Sequence, residues 1–160
     1  MRGNNGMKGE PVKVVATNRK AYHDYQIHDT YEAGIVLTGS EIKSIRAGRV
    51  NLREGYAIFR DGELWLLNCH IAAYDPASRQ NHDPTRPRKL LLHRRELNRL
   101  AGQVQEKGFT IVPLRLYLRR GLAKVEIALV RGKKQYDKRE AIARRDADRE
   151  VERALKERRR

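Results

Sequence analysis

The sequence predicts a mainly β fold, a small antiparallel barrel with peripheral short helices and a conditionally helical basic C-terminal tail. Three observations predict it. The stretches YAIFRDGELWLLNCHI and TIVPLRLYLRRGLAKVEIALV each read as two strand-like runs about a turn. Helical spacing is confined to short segments between such runs. The last thirty residues carry dense charge on an apolar stripe that is mostly alanine. Among compact antiparallel folds an OB-like barrel suits this pattern, and such barrels commonly present a face to oligonucleotides.

Taken in order, residues 1–10 (MRGNNGMKGE) lack apolar periodicity and are expected to be a disordered leader. Residues 11–130 are expected to form the barrel domain, and 131–160 the tail, disordered when free. Asn18 is a fair N-cap for a short helix carrying Tyr22, followed by an extended run through Ile27 toward YEAGIVL. Thr38 and Glu41 stand at capping-box spacing, Ile42 and Ile45 share a face, Lys43 and Arg46 share another, and Gly48 is a stop. Asp61-Gly62 is the turn of the first hairpin, whose second arm holds Trp65 as a core residue. From Ala73 to Lys89 the hydrophobic pattern lapses around Pro76, Pro84 and Pro87, a connection long enough to suggest a function. Leu97, Leu100, Ala101 and Val104 then fall at helical spacing, with Glu96 in the first turn and Gly108 at the end. In the second hairpin Leu114, Leu116 and Leu118 alternate inward on one arm and Val125, Ile127 and Leu129 on the other, and Pro113 marks an edge or bulge.

Charge points to the partner. The 160 residues hold 35 Lys+Arg against 20 Asp+Glu, a formal charge of +15, and residues 131–160 alone supply +6 of it. Such an excess favours a polyanion, since each neutralised phosphate releases condensed counterions. No apolar run approaches the ~18 residues of a spanning helix, so nucleic acid is preferred over membrane and a soluble, cytoplasmic protein is expected. Cys69, the one cysteine, excludes an intrachain disulfide and a cysteine-rich zinc site.

The loop SRQNHDPTRPRKLLLHRR places Arg79, Arg86, Arg88, Lys89, Arg94 and Arg95 where only Asp83 opposes them in sequence. They can line a phosphate backbone while Asn81 and His82 reach ribose or base edges; a merely solvated loop is the plain alternative. Lys43 and Arg46 can grip phosphate from their helix face, or serve solubility alone. Glu32, Glu41 and Asn68 can read amino groups of unpaired bases, although a structural salt bridge is the commoner use of a glutamate. Tyr22 and Tyr25 can stack on a base or close the barrel end. An enzyme is not expected: His82, Asp83 and His70 invite a metal-dependent nuclease, but no paired carboxylates, His-x-x-x-His spacing or Gly-rich phosphate loop supports one. Cys69 and His70 are expected on opposite faces of a strand, which excludes a nucleophile–base pair.

The segments NRKAYHDY, YEAGIVLTGSEIKSIRAGRVNL, ELWLLNCHIAAYDPASRQNHDPTRPRKLLLH and KVEIALVRGKKQYDKR together resemble the SsrA-binding protein (SmpB) family of bacterial trans-translation. The resemblance runs from about Asn18 to the C-terminus. It implies an OB-type barrel without catalytic activity or cofactor, a monomer that binds the tRNA-like domain of transfer-messenger RNA and brings it to stalled ribosomes. Delivery with an elongation-factor GTPase is implied as well. By similarity the RNA-binding surface includes Tyr25, Glu32, Lys43, Arg46, Asn68, His70, Asn81, His82 and Lys124. The tail would enter the empty mRNA channel of the small subunit and fold there as a helix, in place of an anticodon stem-loop. Its matching positions are Gly132, Lys133, Lys134, Tyr136, Asp137, Lys138 and Arg139. Some members carry histidine where this chain has Tyr136, which keeps a stacking face at the decoding centre without an imidazolium charge.

Overall fold

The computed structural model describes residues 11–74, 81–106 and 108–132. Nine strands and three helices occur among them, in the order β1 (Val12–Thr17), α1 (Arg19–Asp24), β2 (Tyr25–Ile35), α2 (Gly39–Arg46), β3 (Val50–Asn51), β4 (Tyr56–Arg60), β5 (Glu63–Leu67), β6 (His70–Ile71), β7 (Arg88–Leu91), α3 (Arg94–Val104), β8 (Phe109–Arg119) and β9 (Leu122–Gly132). Both expected hairpins form. Asp61 and Gly62 have φ of 53° and 76°, and Arg120 and Gly121 of 52° and 78°. Two successive left-handed residues give the turn whose twist matches that of paired strands.

The long hairpin organises the rest. β9 pairs with β8 on one side and β2 on the other, and β2 leads through β7, β5 and β4 back to β8. Every pairing is antiparallel, and the ring of six strands closes, which is how such a sheet disposes of its edges. β1 lies outside the ring against the second half of β8. β3 and β6 make a separate two-stranded ladder. The expected mainly β barrel with peripheral short helices is what the chain adopts.

Alternation fills the interior with Leu64, Leu66, Leu90, Ile111, Leu116, Val125, Ile127 and Leu129. Each fully buried leucine there stabilises by about 1.5–3 kcal/mol. Ile45 of α2 and Leu97 and Leu100 of α3 join the same core, which is why those helices need their apolar stripes. Ala21, Val112, Leu114, Ala128 and Val130 form a second cluster, beneath α1. Asn18 caps α1 as read: its Oδ1 accepts from the Ala21 N–H at 3.1 Å, and its Nδ2 donates to the carbonyls of Leu52 and Pro113.

Several readings are corrected. Register shifts between Pro113 and Arg115, so the bulge expected at Pro113 is present and reverses the alternation. Leu114 therefore packs in the second cluster and Leu116 in the barrel, rather than both on one side. Trp65 is half-buried on the opposite face from Leu64 and Leu66 and belongs to neither cluster, because alternation has only one inward phase. The arm ELWLLNCHI is two strands, since Asn68 at φ 58° turns the chain between β5 and β6. Strand pairing restarts at Arg88, before the expected end of the Ala73–Lys89 connection. Gly132, assigned to the tail, pairs with Tyr25 at the end of β9. Residues 1–10, Arg79, Pro76 and the tail positions Lys133, Lys134, Tyr136, Asp137, Lys138 and Arg139 lie outside the described residues.

Candidate nucleic-acid interface

The first basic surface is built on α2. Its N-terminus carries the full capping box: the Glu41 N–H donates to Thr38 Oγ1 at 3.3 Å and the Thr38 N–H donates to Glu41 Oε1 at 2.8 Å. Gly48 at φ 76° terminates the turn that follows. With Ile45 buried, Lys43 and Arg46 are left on the exposed face as expected. Lys43 Nζ lies 5.6 Å from the Tyr74 ring centroid, and Arg49 Nη1 donates to the Tyr74 carbonyl at 3.5 Å.

A second layer fixes the neighbouring loop. Ser44 Oγ donates to the Ala72 carbonyl at 2.6 Å, and the Tyr74 N–H donates to Asn81 Oδ1 at 3.1 Å. His82 Nε2 stands 2.8 Å from the Ile71 carbonyl, which can only accept, so Nε2 carries the proton. Its Nδ1 meets Ser40 Oγ at 2.9 Å. His70 is exposed on β6 while its neighbour Cys69 is buried, which bears out their opposite facing. Burial pushes the Cys69 thiol up to about 12, so the sulfur is an inert core atom.

Glu41 decides the fate of two predicted cations. It is completely buried, and it receives Arg86 Nη2 at 2.5 Å and Arg88 Nε at 2.6 Å. Arg88 also donates to the carbonyls of Cys69 at 2.7 Å and Pro84 at 3.0 Å, and its side chain has no solvent exposure. Arg88 is thus an internal strut, and its assignment to the RNA surface is corrected: all three of its guanidinium nitrogens donate inside the protein. Arg86 keeps a third of its side chain exposed but is held by Glu41 and the Val36 and Pro87 carbonyls. Lys89, partly exposed, faces Glu63 at 3.6 Å.

Burial by itself raises the Glu41 carboxyl, yet the hydrogen bonds from Arg86, the Thr38 N–H and Arg88 outweigh it and hold the group at about 2, against an ordinary 4.5. The folded state therefore binds fewer protons between those values. At about 1.4 kcal/mol per unit, roughly 3 kcal/mol of stability is present above pH 4.5 and lost as pH falls toward 2. Denaturation followed from about pH 6 to 2 should show this loss in the native chain, and Glu41→Gln should remove that part of the slope.

The outer face of β8, β9 and β2 forms a second, mixed surface. Arg115 stands opposite Glu126, Glu126 opposite Glu32, and Lys124 between Tyr117 and Gly34. Two facing carboxylates would repel. Arg115 Nε binds Glu126 at 2.8 Å, while Arg119 and the Tyr117 hydroxyl hold Glu32. Burial first, and then the Glu32 hydrogen bond, push the Tyr117 phenol well above its usual range, so it stays a donor. Glu32 is consequently engaged within the protein, whereas Lys124 is partly exposed beside it.

Tyr25, Asn68 and Gly132 gather at a third place, a cleft between α1 and the segment that precedes β4. Tyr25 is half-buried against the second cluster, while Tyr22 is 42% exposed on α1. The predicted residues thus occupy three surfaces rather than one. Tyr74, Arg49 and Tyr56 join these surfaces without a sequence expectation; an aromatic residue in an otherwise polar stretch is the available signal for Tyr74. Among the described residues no group of three or more His, Cys, Asp or Glu side chains comes together as for a metal, and no helix is long and apolar enough to cross a membrane.

A sequence model of the family described as SmpB protein matches residues 15–157. The chain belongs to the SmpB family. It is 69% identical over 147 residues to the SsrA-binding protein of Roseiflexus sp. (strain RS-1), covering 91% of this chain and 93% of that one. The SsrA-binding protein of Shouchella clausii (strain KSM-K16) is 61% identical over 146 residues, covering 91% and 94%. A solved SmpB chain, from "tmRNA-SmpB: a journey to the center of the bacterial ribosome", superposes with a TM-score of 0.65 at 55% identity over 75% of this chain and 84% of that one. The barrel described above is therefore an SmpB barrel, and the resemblance read from its segments is borne out.

Proposed function

We propose that this chain is an RNA-binding adaptor of trans-translation that binds the tRNA-like domain of transfer-messenger RNA and accompanies it to stalled ribosomes. The observation that carries this is the 69% identity, across nine-tenths of both chains, to a protein named for binding SsrA RNA. The α2 surface supports it physically. Lys43, Arg46 and Arg49 project from a scaffold whose other polar groups are tied down, so their charge is available for phosphate without ordering a loop first. Lys124 supplies a further cation from the β9 face.

The finer reading gives the tail its own task. Residues 133–160 act in the empty mRNA channel and let the complex stand in for a tRNA whose anticodon arm is missing; their cationic composition and the ring of Tyr136 support contact with ribosomal RNA. The protein contributes no catalytic group, works in the cytoplasm where ribosomes are, and travels with an elongation-factor GTPase.

Charge reversal at Lys43, Arg46 and Lys124 tests the surface. Affinity for transfer-messenger RNA should fall at every salt concentration, and the slope of log K against log salt should flatten by roughly 0.9 for each phosphate no longer neutralised. Unaltered affinity and slope would move the site elsewhere.

A further inference from the structure

We infer that the cleft at the root of the tail is a separate RNA site, built to take one unpaired nucleobase rather than a phosphate. The inference rests on the adaptor reading and deepens it: Tyr25 and Asn68, which the resemblance puts on the RNA-binding surface, are joined here with Tyr56 in one cleft that is given a chemistry of its own. The cleft encloses about 470 Å³, within the roughly 300–1,000 Å³ typical of sites for small planar ligands. Tyr25 and Tyr56 both line it, and Tyr56 is 37% exposed although it lies in a strand. Two phenol rings at one opening offer stacking faces, which every base can use.

Charge argues for a base. Lys20 and Arg53 line the cleft, but so do Asp24 and Glu54, and these groups satisfy one another and their neighbours. Lys20 Nζ lies 3.3 Å and Arg53 Nε 3.9 Å from Glu54 Oε1, and His23 Nδ1 lies 2.8 Å from Asp24 Oδ1. A phosphate entering here would meet two carboxylates, whereas a neutral heterocycle would not be repelled. The edge of such a ring needs a donor and an acceptor in one group, and the exposed amide of Asn68 provides both. The floor is rigid, because Asn18 ties Leu52 to Pro113 and Gly55 packs so closely that a Cβ there would stand 2.9 Å from Pro113 Cγ.

The position gives the site a consequence. Gly132 lines the cleft and pairs with Tyr25 in the β2–β9 register, so an occupying base sits beside the last strand residue before the tail. The same chemistry can come from transfer-messenger RNA or from ribosomal RNA, and the test separates them.

Tyr56→Ala, Tyr56→Phe and Asn68→Gly are compared with the native chain for binding to a transfer-messenger RNA transcript and to ribosomes carrying no message, each over a range of salt. Asn68→Gly removes the amide and keeps the left-handed backbone, so it reports even where Tyr56→Ala disturbs β4. Stacking of one base predicts a fall on the order of 5- to 150-fold for Tyr56→Ala in one of the two arms, with the salt slope unchanged and Tyr56→Phe near native. Asn68→Gly should weaken the same arm. The arm that moves identifies the source of the base. Native-like affinity of Tyr56→Ala and Asn68→Gly in both arms overturns the site, as does a weakening accompanied by a flattened salt slope, which would mean a phosphate neighbour. Failure of the native chain to bind transfer-messenger RNA would instead defeat the adaptor reading.

Discussion

Replacing Glu41 with alanine is expected to lower the unfolding free energy by about 3–5 kcal/mol, a large share of the roughly 5–15 kcal/mol that holds a domain of this size. The carboxylate is buried with Arg88 and partly buried with Arg86, and it also closes the capping box of α2. Its removal leaves one guanidinium in the interior with only carbonyl partners and a helix N-terminus without its reciprocal bond, the latter worth about 1 kcal/mol. The penalty arises from the stranded charge, not from the strength of the ion pair. The double replacement Glu41→Met with Arg88→Met should accordingly recover much of the loss. Chemical denaturation of the three chains measures this, and a single-mutant loss under about 1 kcal/mol would refute the strut. RNA affinity should fall in parallel, because Arg88 fastens the Pro84 end of the loop whose Asn81 and His82 brace the ground under Lys43.

Removing residues 133–160 is expected to abolish peptide tagging on stalled ribosomes. Residues 131–160 hold 13 Lys+Arg and 7 Asp+Glu, and their apolar stripe is Ala143, Ala147, Val151, Ala154 and Leu155. Burying mostly alanine yields little stabilisation at about 25 cal/mol per Å², so the proposed ribosomal task is expected to draw on charge and on the Tyr136 ring. Tagging in a reconstituted translation system supplied with a message lacking a stop codon is the readout. A truncated chain that tags at a rate near native would remove the ribosomal task from the tail. Restoring residues 133–139 alone separates the segment carrying Tyr136 from the alanine-rich remainder.

Features governed by neighbours in sequence are legible. The caps at Asn18 and Thr38, the turns at Asp61-Gly62 and Gly48, and the exposed pair Lys43 and Arg46 each follow from chemistry within a few residues. What escapes is set across the fold. In sequence Arg88 is one of six cations facing a lone Asp83, yet its carboxylate is Glu41, 47 residues earlier. Glu32 is suited to reading a base, yet Arg119, 87 residues later, holds it. The hydrophobicity of its run points Trp65 to the core, and the strand's alternation turns it outward between Ile58 and Lys89. The bulge after Pro113 is expected, but its effect on the phase of the leucines is not, because one inserted residue exchanges inward and outward for all that follow. The third place, at Tyr25, Asn68 and Gly132, requires the closed barrel before its members come together.

We propose that two tasks divide along the chain: the barrel alone grips transfer-messenger RNA, and the tail serves the ribosome. The decisive quantity is the affinity of a chain ending at Gly132 for a transfer-messenger RNA transcript, measured beside the full chain at the same physiological salt. Dissociation constants within about threefold of each other are expected, because the cations on α2 and β9 are intact. A weakening beyond about thirtyfold would place the grip in the tail and contradict this division.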